Sequence, residues 1–244
     1  MKELISINGL CYNYDDICAL NNITLKVVEG DALAVIGPNG SGKSTLLKII
    51  NGIMFANKGA YVYKGKNINE RYMSDNSSSR AFHRSIGFVF QNPDVQLFCS
   101  SVYEEVAFGP TQMGLEDREV KTTTENYLKL LGVEHLAQRV PYYLSDGEKK
   151  KVAIASILAV EPEVLVLDEP MSGLDPKTKT FIKELVVKLN RAGKTIICAT
   201  HDFEYVKGMF NRAVVLSEQK TIVYDGAYER VIEDEPFMRA NNLK

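Results

Sequence analysis

The chain has 244 residues, with 45% hydrophobic and 25% charged residues, the balance of an ordinary globular protein long enough to bury its own core. A general polyanion binder should carry a marked excess of Lys and Arg; here 29 basic residues face 31 acidic ones, for a formal net charge of −2, so nucleic acid is not expected as a partner. The four cysteines, Cys11, Cys18, Cys99 and Cys198, form no CxxC pair and no zinc spacing, and reduced thiols are expected.

The first residues, MKELISINGL, are too short and too mixed for a signal peptide. The stretches LISINGLCYNY and ALNNITLKVVEG alternate about a turn and predict an antiparallel hairpin. DALAVIG (31–37) is a β-branched apolar run that predicts a buried strand, and STLLKIING opens a helix. GAYVYKGKNI (59–68) predicts a second hairpin, and the polar, Ser-rich ERYMSDNSSSR (70–80) a surface loop.

SIGFVF (85–90) predicts another buried strand. From 92 to about 160 no convincing strand occurs, and the pattern predicts a helical insertion that includes a helix over 120–132 stopped by Gly132. Its longest apolar run, AIASILAV, is far below the ~20 residues that span a bilayer. EVLVLDE (163–169) and TIICAT (195–200) complete the buried strands, with a helix over 178–193 between them. Buried strands alternating with helices predict an α/β fold with a mostly parallel sheet, here with an N-terminal antiparallel β subdomain and an inserted helical subdomain.

The strongest chemical signal is GPNGSGKS at 37–44, which matches GxxxxGK[ST] between a strand and a helix. Gly37, Gly40 and Gly42 permit tight turns and close approach of backbone to phosphate. Unpaired N–H groups at the helix start favour an anion. Lys43 reaches β- and γ-phosphates, and the Ser44 hydroxyl suits Mg²⁺. The strand LVLD ends in Asp168, placed to hold Mg²⁺ through water, and Glu169 follows it as a group that polarises the attacking water. Gln91 and His201 each end another strand of the same sheet, at the edge where such sheets bind ligands.

The order of P-loop, Gln91, LSDGE (144–148), LVLDE (165–169), SGLD (172–175) and His201 resembles the ATP-binding subunits of ABC transporters over nearly the whole chain. The stretch FQNPDVQLFCSSVYEEVAFGP (90–110) is most similar to the energy-coupling factor, cobalt-type, branch of that family. The resemblance implies one ATPase domain over 1–244. Its ATP-binding core and β subdomain would occupy 1–91 and 162–225, its helical subdomain 92–161, and a short helical segment 226–244. ATP and Mg²⁺ are the implied cofactors. Asn39, Ser41 and Thr45 would complete the phosphate loop around Lys43, and Tyr14 would stack on adenine, with Tyr12 as second choice. Ser145 and Gly147 would face the ATP of an opposite subunit, and Asp175 would lie at the dimer interface. His201 would contact the γ-phosphate, and Gln91 would reach Mg²⁺ and water.

The implied partners are a second copy or a related ATPase, a transmembrane scaffold and a substrate-binding membrane protein, with this chain peripheral on the cytoplasmic face of the membrane. Glu104 and Glu105 would meet arginines of the scaffold. The implied activity is ATP hydrolysis that powers uptake of a metal ion or vitamin-type micronutrient; the alternative is a soluble ABC-type ATPase serving cofactor assembly. A GTP switch would need an NKxD motif, which the sequence lacks. Lys149, Lys150 and Lys151 are expected on a solvated or intersubunit helix face. Asp146 stands where the family has glycine; it is expected to cap that helix or pair with Lys149 or Lys150, turned away from phosphate.

Overall fold

The computed structural model describes residues 2–203 and 205–244. Strands β1 (Glu3–Tyr14) and β2 (Ile17–Val28) form the expected antiparallel hairpin across a two-residue turn. Its first turn residue, Asp15, has positive φ, the backbone that tight hairpins require. Strand β3 (Ala32–Ile36) leads into α1 (Lys43–Ile50), and β4 (Lys58–Tyr63) pairs with β1 and with the short β5 (Lys66–Asn67).

The expected loop over 70–80 is largely helical instead: α2 spans Glu70–Met73 and α3 spans Asn76–Ser85. Each start is capped by a side chain, Asn69 accepting from Tyr72 N and Asp75 from Ser78 N, both at 2.8 Å. Phe82 anchors α3 in the core at 2% exposure. Capping and one buried aromatic outweigh the low helix propensity of the serines.

After β6 (Ile86–Val89) come the helices α4 (Val102–Gln112), α5 (Asp117–Leu130) and α6 (Asp146–Leu158). Helix α5 starts three residues earlier than expected because Glu116 and Glu119 form a capping box ahead of it. Strand β7 (Val164–Asp168), helix α7 (Pro176–Arg191) and strand β8 (Thr195–Ala199) follow. Two strands without a sequence expectation, β9 (Arg212–Leu216) and β10 (Ile222–Ala227), then form an antiparallel hairpin before α8 (Tyr228–Glu233) and α9 (Glu235–Ala240).

The strands make two sheets. One is antiparallel, in the order β2-β1-β4-β5; the other runs β10-β9-β3-β8-β7-β6 and is parallel except for its β10 edge. Every residue of β3, β6, β7 and β8 is buried, as strands covered on both faces require. Ala32, Ala34 and Ile36 pack with the helical insertion and the C-terminal helices; Leu33 and Val35, on the opposite face, pack with α1 and the antiparallel sheet. No helix among the described residues is long and apolar enough to cross a membrane.

Two charged stretches differ from their expectation. Lys149 and Lys150 are buried, at 8% and 1% exposure, not solvated. Lys149 pairs with Asp94 at 2.7 Å, and Lys151 lies over the Phe181 ring of α7. Helix α6 is covered by neighbours along this side, so the basic run is spent inside the molecule. Glu105 is also buried, at 3%, and accepts from the N–H groups of Phe98 and Cys99 at 2.8 Å each; it organises its own loop and is not available to a partner. Glu104 is exposed and accepts from Ser100. Replacing Glu105 by Ala leaves two backbone donors unsatisfied and should destabilise the fold by about 1–3 kcal/mol. Urea unfolding measures this, and Glu104→Ala should leave the midpoint nearly unchanged.

Candidate active site

Strand ends gather the expected residues. At the tip of β3 the chain turns through the Gly37–Gly42 loop into α1. Gly42 adopts φ +100, and a β-carbon there would stand 2.3 Å from the Ala19 carbonyl oxygen, so only glycine lets the loop lie this close to β2. Lys43 is 7% exposed, and its ammonium donates to the carbonyls of Gly37 (2.8 Å) and Pro38 (3.1 Å). Burial lowers its pKa, against the raising influence of Glu169 and Asp168. Ser41 is fully buried within the loop, and its hydroxyl has no hydrogen-bond partner.

A cleft of about 610 Å³ lies over this loop. Tyr14, Asn39, Gly40, Gly42, Lys43, Ser44, Thr45, Gln91, Glu169 and His201 all line it. Tyr14 closes one end, 42% exposed, with its hydroxyl 3.3 Å from Thr45 Oγ1 and its ring edge-on to Tyr12. Tyr12 packs against the core and does not line the cleft.

Behind the loop, Ser44 Oγ donates to Asp168 Oδ1 at 3.1 Å. Burial raises the Asp168 pKa; Ser44, Lys48, Lys43 and Lys150 each act in the opposite direction. These two oxygens fit Mg²⁺ that also binds a polyphosphate, because that ion takes few protein ligands and keeps phosphate and water for the rest. Among the described residues no cluster of three or more His, Cys, Asp or Glu side chains is placed to hold a metal ion.

Glu169 follows Asp168 with φ +46, an uncommon backbone for a residue bearing a β-carbon, and its N–H donates to Ala199 O. Its Oε2 lies 2.8 Å from His201 Nδ1 and also accepts from the His201 backbone N–H at 3.3 Å. The strand ends of β7 and β8 thus hold the carboxylate beside the cleft, with the histidine directed onto it.

Ser145, Gly147 and Asp175 do not line this cleft. They meet at a second place, where the starts of α6 and α7 adjoin: a β-carbon on Gly147 would lie 3.2 Å from Thr178 Oγ1 and 3.7 Å from Asp175 Oδ2. Asp175 caps α7, accepting from the N–H groups of Lys177 and Thr178. Asp146 does not cap α6, contrary to expectation. Ser145 is the cap, in a box with Glu148: Ser145 N and Oγ both donate to Glu148 Oε2, at 2.8 and 2.7 Å. A serine one residue earlier already occupies the capping geometry, which leaves Asp146 exposed in the first turn and in no ion pair with Lys149 or Lys150. It borders a smaller cleft of about 280 Å³ with Gln91, Lys150 and Ser172.

Lys220 also lines the cleft and belongs to no motif. In the β9–β10 turn, it donates to Gly40 O, while its own carbonyl accepts from Asn21 N. A lone lysine after an unrecognised strand gives no sequence signal; only the fold brings that turn to the phosphate loop.

The model of the ABC transporter family matches residues 20–172. The chain is 43% identical over 222 residues to the nickel import ATP-binding protein LarO of Lactiplantibacillus plantarum, covering 91% of this chain and 92% of that one. It is 41% identical over 242 residues to the energy-coupling factor transporter ATP-binding protein EcfA of Methanococcus maripaludis, covering 99% and 85%. Its structure superposes on that of cbiO1 from Clostridium perfringens, part of the ABC transporter complex cbiONQ, with a TM-score of 0.83 and 37% identity over 100% of this chain and 96% of that one. With the phosphate loop, Ser44 and the strand-end glutamate lining one cleft and Asp168 bonded to Ser44 behind it, the chain belongs to the ATP-binding subunits of ABC transporters, of the energy-coupling factor type, and is an ATPase that works with ATP and Mg²⁺.

Proposed function

We propose that this ATPase drives uptake of a metal ion or vitamin-type micronutrient through a membrane scaffold and a substrate-binding membrane protein, from the cytoplasmic face of the membrane. The nickel-import, energy-coupling factor and cbiONQ names of its relatives support this reading. The observation that carries the chemistry is the convergence of Lys43, Ser44, Glu169 and Gln91 on one cleft.

Each residue then has a stated task. Tyr14 offers a ring face to adenine at the mouth of the cleft. The N–H groups of the phosphate loop and the Lys43 ammonium take the β- and γ-phosphates, for which Lys43 leaves its carbonyl partners. Mg²⁺, when bound, offsets phosphate charge and orients the transferred group; Ser44, Asp168 and Gln91 are its candidate partners, directly or through water. Glu169 accepts a proton from the attacking water, and His201 orients that carboxylate and reaches toward the γ-phosphate. What this chain supplies is placement and fixed charge.

Ser145 and Gly147 lie away from this cleft, so their proposed contact with ATP requires a second subunit, a copy or a related ATPase. In a head-to-tail pair the α6 start of one subunit would cover the phosphate loop of the other, with Asp175 at the junction. For the membrane scaffold, the candidate surface is Phe98 and Phe108, 68% and 43% exposed with their rings edge-on at 5.0 Å, and exposed Glu104 on the same helix as Phe108. An apolar patch of this kind beside a carboxylate fits an amphipathic helix that carries arginine.

Three measurements test these roles. Lys43→Ala removes the phosphate's cation and should weaken ATP binding by about 10- to 100-fold; unchanged affinity in equilibrium binding would count against the assignment. Glu169→Gln should keep ATP affinity, lower turnover by about 10²-fold or more and accumulate an ATP-bound dimer visible by sedimentation. Phe98→Ala with Glu104→Arg should abolish co-purification of the membrane scaffold while ATP affinity stays unchanged; normal co-purification would remove this surface from the interface.

A further inference from the structure

Lys150 carries a charge that the nucleotide does not explain. It is 1% exposed, does not line the nucleotide cleft, and among the described residues forms no ion pair with a carboxylate. Its ammonium donates instead to two consecutive backbone carbonyls, Phe90 O at 2.9 Å and Gln91 O at 2.7 Å. An ammonium withdrawn from water is costly. Burial lowers the Lys150 pKa to about 8, with Asp168 acting the other way. An uncharged side chain would avoid that cost if packing were the only requirement.

The same short segment is fastened to α6 at two further points. Gln96 accepts from Phe90 N at 3.2 Å and donates to Ala153 O of α6 at 2.8 Å, and Asp94 accepts from Lys149 at 2.7 Å. The segment 90–96 is thereby bound to α6, by backbone at Phe90 and Gln91 and by side chain at Asp94 and Gln96, while Gln91 also lines the nucleotide cleft. The helix that holds it is capped by Ser145, the residue proposed to meet the second subunit's ATP.

We infer that Lys150 is a positioning residue of the ATPase site: from α6 it fixes the Phe90–Gln91 backbone so that Gln91 is presented to the nucleotide. The inference rests on the proposed role of Gln91 and adds the group that places it. Because Lys150 does not line the nucleotide cleft, its removal acts on turnover and not on nucleotide affinity.

The test is a double-mutant cycle on the full chain with Lys150→Met and Gln91→Ala, reading kcat and KM for Mg-ATP hydrolysis, with ATP affinity and thermal unfolding measured in parallel. Lys150→Met should lower kcat by about tenfold or more, as expected when a reacting group is displaced, with KM and ATP affinity within about twofold. In the Gln91→Ala background the same substitution should cost less than about twofold, since the residue it places is already gone. Should Lys150→Met fail to fold, Lys150→Gln, which keeps a neutral donor, carries the same comparison. An equal loss from the lysine substitution with and without Gln91 would overturn the inference and leave Lys150 a structural residue. Wild-type kcat in the lysine variant, with Gln91→Ala slow, would overturn it while sparing the role of Gln91. Wild-type kcat for Gln91→Ala would overturn both.

Discussion

A β-carbon at position 42 would collide with the carbonyl oxygen of Ala19, and much of the molecule is arranged around that contact. The phosphate loop belongs to the parallel sheet, whereas Ala19 belongs to the antiparallel one. Their meeting brings Tyr14 beside Thr45 and so sets the length of the nucleotide cleft. The β9–β10 turn joins at the same place, with Lys220 bonded to Gly40 and to Asn21 of β2. The loop is held from two sides, by β2 and by the β9–β10 turn. That is the rigidity expected of a site that works by placement and fixed charge.

The buried charges follow a common logic. Lys43, Lys150, Asp168 and Glu169 are all nearly removed from solvent, and each has defined hydrogen-bond partners. Lys43 and Lys150 rest on backbone carbonyls, which orient an ammonium without neutralising it. Such an arrangement leaves charge available for a ligand or for a neighbouring strand end, at a cost in desolvation that the well-packed cores on both faces of the sheet offset. Glu105 and Lys149 are the structural counterparts: each is fully engaged within the helical insertion.

The phosphate loop, Asp168 and Glu169 were legible in the sequence because their spacing relative to apolar strands is dictated by local backbone geometry. The four buried strands were legible because a strand covered on both faces must be apolar throughout. The Ser-rich stretch after Asn69 was misleading, since composition does not reveal a capping side chain or the pocket that receives Phe82. The burial of Lys149, Lys150 and Glu105 was equally invisible. Charge along a helix reads as solvated until the neighbours that cover it are known. At the start of α6 the expected cap was Asp146, yet Ser145 takes that place, because Glu148 stands three residues on from the serine and completes a capping box with it. Lys220 carried no signal at all, because only the hairpin edge of the large sheet brings it to the cleft.

Placing Ser145 outside its own cleft makes the account depend on a second subunit, and that dependence is open to direct measurement. Cysteines introduced as Ser145→Cys on one chain and Asn39→Cys on its neighbour, with the native Cys11, Cys18 and Cys99 replaced by serine, report whether the α6 start of one subunit meets the phosphate loop of the other. The account predicts a crosslink that forms in Mg-ATP and is weak without nucleotide, either between two copies or between this chain and the related ATPase that pairs with it. No crosslink to any ATPase subunit in Mg-ATP, or the same yield with and without nucleotide, would contradict it.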